Sequence, residues 1–507
     1  MQLLAGGHMN SRTLPIENAD LVQPPARALL ANRYLWWLAA NPARICAIGL
    51  ALVAALQLLA YWPGLMQVDA TLQYDQAISG QFEDWHPPLM AWLWRQILPI
   101  WPGPAPMLLL QATLYWGGFG ILIAWALRQK RAELAFAILA CALMPISVAR
   151  LGSILKDCLM AGALLMATAL IAWTWRSKHA GLRLLAAMLI VFAAAMRANA
   201  FMAGAPLLVM LLPEACRRTR LRFVAAAVAT TLALASVIPL SNKLLDARNS
   251  DPFLSLIIFD MGGITAKSSV NVFPAMPLRD PVAANRQCYT PRQWDGYGWW
   301  GTPLCPINFD RVRAAFSASG QSPSQAWIAA IAAHPIAYAE HRLAHFNLSV
   351  RFLSLWRIKQ PLWNSSRTHY LEYQKAPNLL LSAFNFAGSR NAEWPLGWPV
   401  VAMGVAAGVI LLGRRLRSQM IAVPLAWSCL FYGGGYLLVG VAAELRYHMW
   451  TTMAGMIAGA MVVADIATTP AITRKQLFGA AAPLIVILVL AIGARLLLVP
   501  GGFIDIV

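Results

Sequence analysis

The run "ICAIGLALVAALQLLAYW", Ile45 to Trp62, contains no charged side chain. At 1.5 Å of rise per residue it reaches ~27 Å as a helix, close to the ~30 Å thickness of a bilayer's hydrocarbon core. In lipid every backbone N–H and C=O has to be satisfied internally, which leaves a helix or a closed barrel. Runs of this kind recur almost to the C-terminus, so the chain is constrained to an all-α, polytopic transmembrane bundle. Composition agrees: 59% of the 507 residues are hydrophobic and 12% are charged, against roughly 25% charged in a soluble domain.

A net charge of +19 would point to nucleic acid in a soluble protein. Here it is first a statement about orientation, because Lys and Arg collect in short cytoplasmic loops. The basic clusters are Arg128, Lys130 and Arg131; Arg176, Lys178 and Arg183; Arg217, Arg218, Arg220 and Arg222; Arg414, Arg415 and Arg417; and Arg474 and Lys475. Placing all of them inside gives eleven crossings, near 45–62, 106–127, 134–149, 158–175, 184–196, 200–212, 223–241, 396–412, 421–443, 449–467 and 477–499. Residues 1–44 are too long and polar for a secretory leader and read as a cytoplasmic amino-terminal segment. The expected organisation is then a transmembrane core over 45–241 with a first outer loop at 63–105, an outer segment with interfacial helices over 242–395, and C-terminal transmembrane helices over 396–507. No nucleic-acid partner is expected, and membrane lipids are.

Within the membrane region, the turns opposite the basic clusters hold Asp69, Asp75, Glu83, Asp84 and His86; Arg150, Lys156 and Asp157; Arg197 and Asn199; and Glu444, Arg446, Tyr447 and His448. Four mixed-sign turns on one face point to a shared polar site. The 29 residues from Leu184 to Leu212 lie between basic clusters and must cross twice, leaving ~20 Å of helix per crossing. The tip "MRANA" is therefore expected below the outer surface. There Arg197 either snorkels from a short hairpin or faces an anion such as a lipid phosphate.

After the first run, Asp69, Gln73, Gln76 and Gly80 share one helix face. Asp69 is placed to accept a proton from a hydroxyl, or else it belongs to a solvated polar face. His86, before Pro87 and Pro88, is a ligand, a donor to substrate or a cap. In "GSILKDCLMAG", capping alone would account for Asp157, whereas Lys156 adds a fixed cation. In "AAELRYHMW", Glu444 is placed to orient Arg446, with Tyr447 as a further donor. His341 and His345 lie one turn apart in "EHRLAH" with no third ligand evident, so they read as surface polarity on an interfacial helix, although a divalent metal is left open. Cys288 and Cys305 share the outer segment and form a disulfide candidate for an oxidising compartment.

An acid soon after the first span, "DWHPPL" before an interfacial helix, "KD" opening a span, "RAN" at a hairpin tip, "HPIAYAEHRLAHF" in the outer segment and "ELRYH" between late spans occur in that order. The arrangement resembles the GT-C superfamily of membrane glycosyltransferases. It is closer to bacterial members of unassigned substrate than to protein mannosyltransferases or the aminoarabinose transferases of lipid A. The resemblance implies transfer of a sugar from a polyprenyl-phosphate donor to a lipid, glycan or protein acceptor at the periplasmic face of a bacterial inner membrane. It casts Asp69 as general base and Lys156, Arg197 and Arg446 as holders of the donor phosphate, with Asp157, Asn199, Glu444, Tyr447, Asp84 and His86 around the substrate. Many relatives carry an Asp–Glu pair in the first loop where this chain has Asp69–Ala70, so a metal held by adjacent acids is not implied. A transporter or lipid flippase and a glycan polymerase or ligase are the alternative functions. A cysteine placed at position 156 is expected to react with a membrane-impermeant maleimide from the outer side only; reaction from the cytoplasmic side would overturn the shared site.

Overall fold

The structure is a computed structural model describing residues 41–175, 177, 179–301, 303–355, 362–468 and 472–497. Most of the amino-terminal segment, Arg176, Lys178 and the end of the last expected crossing lie outside the described residues. Among those described, all regular structure is helical and there is no strand.

Helix α1, Pro42–Tyr61, starts with its proline in the first turn, where a missing N–H costs nothing. Two short helices follow outside the apolar run: α2, Val68–Ser79, and α3, Leu89–Ile97. Helix α4 is Ala105–Arg128. The expected crossing at 134–149 is broken into α5, Ala132–Ala142, and α6, Pro145–Arg150, because Pro145 has no N–H to continue the ladder. Then come α7, Lys156–Thr174; α8, Ala180–Ala194; α9, Ala200–Leu211; and the nearly continuous α10, Arg220–Ala235, and α11, Val237–Leu244. The next segment carries α12, Pro252–Ser268; α13, Pro281–Cys288; α14, Phe309–Ser319; α15, Pro323–Ala333; α16, Pro335–Val350; and α17, Leu379–Glu393. The chain closes with α18, Pro399–Leu412; α19, Gln419–Val439; α20, Met449–Thr468; and α21, Arg474–Leu497.

Among the described residues, seven helices are long and apolar enough to cross a membrane: α1, α4, α7, the joined α10–α11, α19, α20 with the turn before it, and α21. The other four expected crossings fall on α5, α8, α9 and α18, of 11, 15, 12 and 14 residues. At ~16–23 Å each is shorter than the hydrocarbon core. Helix α7 is almost wholly buried, whereas α1, α10–α11 and α21 leave most of their apolar surface exposed, as helices facing lipid do. The central contact is α4 on α7. A Cβ on Gly162 would stand 2.9 Å from Leu114 Cβ, and one on Gly118 would stand 2.8 Å from Leu165, so small residues let the two backbones approach.

The two ends of the bundle differ. At one end Arg131 donates to Asp465 Oδ1 at 2.7 Å and to Ser418 Oγ at 2.8 Å, while Ser418 N donates to Asp465 Oδ2 at 2.7 Å. Both charges are buried. This knot ties the α4–α5 turn to the start of α19 and the end of α20. The opposite ends of α19 and α20 meet at Gly440–His448, where the polar turns gather.

The segment between α11 and α18 has its own small core around Phe259, Trp294, Tyr297, Phe309 and Phe316. Cys288 and Cys305 are joined by a disulfide. Helices α15 and α16 are separate because Pro335 cannot continue the ladder between them. His341 and His345, expected as surface polarity, are fully buried. His341 Nε2 lies 3.2 Å from Asp260 Oδ1, Arg342 Nη2 pairs with the same oxygen at 2.5 Å, and His341 Nδ1 meets Tyr289 Oη at 2.9 Å. His345 Nδ1 faces the Pro291 carbonyl at 2.8 Å. The missing partner was Asp260 on α12, which makes these histidines part of a core that locks α16 to α12.

Removing one member of a buried ion pair strands the other at a cost of about 3–5 kcal/mol. Asp465→Leu is therefore expected to lower the unfolding midpoint in detergent sharply, with much of the loss recovered in Arg131→Met/Asp465→Leu; equal midpoints for Asp465→Leu and the unchanged protein would overturn the knot.

Candidate functional site

Asp69 lies in the first turn of α2, and Lys156 and Asp157 open α7. What joins them is a backbone clasp: Leu65 N donates to Gly152 O at 3.0 Å and Ile154 N donates to Leu65 O at 2.9 Å. Buried Gln111 on α4 braces the same loop by donating to the carbonyls of Leu151 and Ser153 at 2.6 and 2.9 Å. The third contributor is the α8–α9 turn with Arg197, and the fourth is the Glu444–His448 turn before α20.

These turns converge on one charged cluster. Arg446 Nη1 donates to Asp69 Oδ2 at 2.8 Å, and its Nε pairs with Glu444. On the other side of Asp69, His86 Nε2 stands 4.0 Å from Oδ1, and His86 Nδ1 meets Lys156 Nζ at 2.6 Å. Lys156 thus donates to an imidazole nitrogen, which then has no proton of its own. Arg197 pairs with Asp157 and lies 4.0 Å from the centre of the Tyr447 ring. Arg446 flanks the same ring at 5.1 Å. Tyr447 stacks on Tyr436, whose hydroxyl donates to the Tyr447 carbonyl at 3.2 Å. Arg197 is therefore held by an anion and two aromatic faces and does not snorkel.

Several expectations change. Asp157 is not a helix cap; the cap residue of α7 is Leu155, without a side-chain bond, and the carboxylate is spent on Arg197. Asp84 is not in the cluster. It accepts from Ser250 N at 2.7 Å, while Glu83 pairs with Arg248, so both acids dock the start of the next segment. The polar stripe on α2 also dissolves. Gln73 donates to the Asp69 carbonyl, Gln76 accepts from Glu83 N, and Gly80 ends the helix at φ 75° with the Arg95 guanidinium against it. His86 is not a cap either, since Pro88 takes that position. Asn199 precedes α9, buried, with its side chain beside the Tyr436 hydroxyl.

Sequence reasoning missed two contributors. Asp295, in the short helical turn Trp294–Tyr297, stands within electrostatic reach of Glu444, Arg446 and Asp69. Its placement comes from a second clasp: Trp294 N donates to Val441 O and Ala443 N to Arg292 O, both at 2.8 Å. Nothing local to "WDGYGWW" signals that pairing. Arg351 is the other: 4% exposed at the end of α16, its Nη1 and Nη2 have no partner among the described residues. Arg150, 5% exposed, likewise has Nε and Nη1 unpartnered. Arg150 was visible as an outer-turn cation; Arg351 was masked by the apolar helix it ends.

The electrostatics separate the groups by role. Burial pushes the Asp69 carboxyl up, but the charges of Arg446 and its other cationic neighbours more than reverse this and hold it well below the usual carboxylate range. Burial, with Lys156 beside it, pushes His86 down to about 3, so the ring is neutral. Burial and the nearby carboxylates Glu444 and Asp69 push Asp295 up to about 6. Among the described residues no group of three or more His, Cys, Asp or Glu is arranged to hold a metal ion. No protein-family model matches the chain, and no curated protein matches its sequence.

These shifts set a pH dependence of stability. Burial brings His345 down to about 3 as well and also lowers His341. Between pH 6.5 and about 3 the unfolded chain binds protons at His86 and His345 that the folded chain refuses, so acidification removes stability across that window. Asp295 acts oppositely between about 4 and 6, where the folded chain holds a proton that the unfolded chain lacks. The net is at least about one proton, or ~1.4 kcal/mol per pH unit. Unfolding midpoints in detergent are expected to fall from pH 6.5 to 4.5, with a shallower slope in His345→Gln; a flat profile would show that these rings are not held neutral.

Proposed function

We propose that the chain is an integral-membrane glycosyltransferase of the GT-C type, which moves a sugar from a polyprenyl-phosphate donor to an acceptor hydroxyl at the periplasmic face of a bacterial inner membrane. The observation that carries this reading is the position of Asp69: a partly open carboxylate clamped by Arg446, with neutral His86 and then Lys156 on its other side. A partly open carboxylate flanked by Arg446 and Lys156 at the end of an apolar bundle suits the union of an uncharged hydroxyl with a lipid-borne phosphate ester.

In the closed ion pair Asp69 is a poor base, since its proton affinity is suppressed by Arg446. An arriving phosphate offers Arg446 a stronger partner. As the guanidinium turns to the phosphate oxygens, burial becomes the leading influence on Asp69 and its basicity rises. The acceptor oxygen then attacks the anomeric carbon while its proton passes to Asp69. The bond from that carbon to the phosphate oxygen breaks, and the electron pair leaves on the polyprenyl phosphate. Lys156, Arg446 and the unpartnered donors of Arg150 stabilise the charge that develops there, so the leaving group needs no proton. Arg197, neutralised by Asp157, acts chiefly by fixing Tyr447 and the Arg446 turn.

An ion-coupled transporter or flippase would be served by charges near the middle of its helices, whereas this cluster sits at helix ends, which supports transfer at one face. Asp69→Asn is expected to cut sugar transfer in membranes about 10²- to 10⁴-fold while donor lipid is still retained. Arg197→Ala is expected to weaken donor retention about tenfold through the lost Tyr447 contact. Undiminished transfer by Asp69→Asn would remove it as the base.

A further inference from the structure

One buried cation near the charged cluster has no part in the transfer chemistry above. Arg351 follows α16 as its cap residue and is 4% exposed, yet its Nη1 and Nη2 have no partner among the described residues. Its backbone stands at φ 61°, the left-handed position at a helix end that favours glycine. One residue thus carries a strained backbone and a desolvated charge, and no hydrogen bond to its guanidinium forks among the described residues offsets either.

The surroundings add positive charge instead of removing it. Arg150, 5% exposed, also has its Nε and Nη1 without a partner among the described residues. Burial, and then the charges of Arg292, Arg150 and Arg495, press Arg351 down to about 9. It stays charged at neutral pH, and no described carboxylate counters those three cations. Glu444 and Asp157 do bear on Arg150, but Arg446 and Arg197 already hold them.

The backbones that carry the two guanidiniums are fixed. Arg495 on α21 donates to the carbonyls of Arg351 and Phe352 at 2.9 and 2.7 Å and to Ser354 Oγ at 3.0 Å. Ser349 Oγ, two residues before Arg351, meets His448 Nε2 at 2.8 Å, both side chains being buried. Ser153 N donates to the Arg150 carbonyl at 3.0 Å, in the loop that Gln111 braces.

Two uncompensated guanidiniums suit two negative charges on one small group. A carboxylate or a phosphodiester brings about one, whereas a phosphate with a single ester link brings about 1.5 to 2 at pH 7, on three oxygens that match guanidinium forks.

We propose that Arg351 and Arg150 together bind a dianionic phosphate group. On the transferase reading this is the polyprenyl phosphate left when the sugar departs. The donor diester has one charge; breaking its bond to the anomeric carbon leaves a second on the phosphate, while the acceptor's proton goes to Asp69. Arg351 then holds the product in preference to the donor. The identity of the ester rests on that reading, whereas the binding itself needs no turnover.

The test uses the whole protein in nanodiscs, with farnesyl phosphate, its methyl diester and inorganic phosphate as probes in calorimetric titrations against empty nanodiscs. Farnesyl phosphate is expected to bind at least about tenfold more tightly than the diester. Arg351→Met, which keeps an apolar stem and removes the charge, is expected to erase that preference while the diester binds as before. Should the methionine not pack, Arg351→Gly, which suits the backbone, carries the same comparison. Weaker binding of inorganic phosphate than of farnesyl phosphate assigns the site to a lipid-borne ester, and equal binding assigns it to free phosphate. Absence of binding, equal affinity for monoester and diester, or an unchanged preference in a folded Arg351 variant would overturn the proposal. So would unfolding midpoints well below that of the unchanged protein in both ligand-free variants, since an unpaired buried charge stabilises nothing by staying. Failure of the transferase reading appears separately, as full transfer by Asp69→Asn with the monoester preference intact.

Discussion

A guanidinium carried to the end of an apolar bundle has to meet an anion, because water is scarce there and an unpaired charge costs several kcal/mol. Arg446 and Arg197 impose that condition on everything around them. Arg446 draws Asp69 and Glu444 to itself, and Arg197 takes Asp157. Each pair joins elements far apart in sequence, so the charges act as fasteners that set where α2, α7, the α8–α9 turn and the α19–α20 turn lie. The bundle's opposite end is fastened in the same way by Arg131 and Asp465, with Ser418 bonded to both. At the site end, by contrast, Arg150 and Arg351 retain guanidinium nitrogens without a partner among the described residues.

Much of this was legible because charge is conspicuous in an apolar chain. Asp69, His86, Lys156, Arg197, Glu444 and Arg446 stand out wherever a polar turn interrupts apolar runs, and the structure brings them together. Their partners were less legible. Asp157 had an adequate local explanation as a helix cap, and only the position of Arg197 40 residues later assigns it otherwise. Asp84 and Asp295 are alike by sequence, each beside a tryptophan. One docks on Ser250 and the other reaches the cluster, and the choice is made by backbone clasps whose two strands are distant in the chain.

The break at Pro145 and the buried histidines were hidden for a related reason. Hydropathy reports that a segment is apolar, not that a proline such as Pro145 divides it. Periodicity placed His341 and His345 on one face correctly, but which way that face points depends on Asp260, some eighty residues earlier. Local pattern identifies the group; tertiary pairing gives it its neighbour.

The link between Asp69 and Arg446 spans 377 positions, which ties the cluster to the order of synthesis. Arg197 can find Asp157 while the first half of the chain is being inserted, since both belong to neighbouring early helices. Asp69 waits for Arg446 until α19 and α20 have entered the membrane, and Asp295 has no seat until Val441 to Ala443 arrive. The cluster is therefore complete only in a chain made as far as its last helices. No truncated chain carries its full set of charges, and the clasp that seats Asp295 closes only when Val441 to Ala443 are in place.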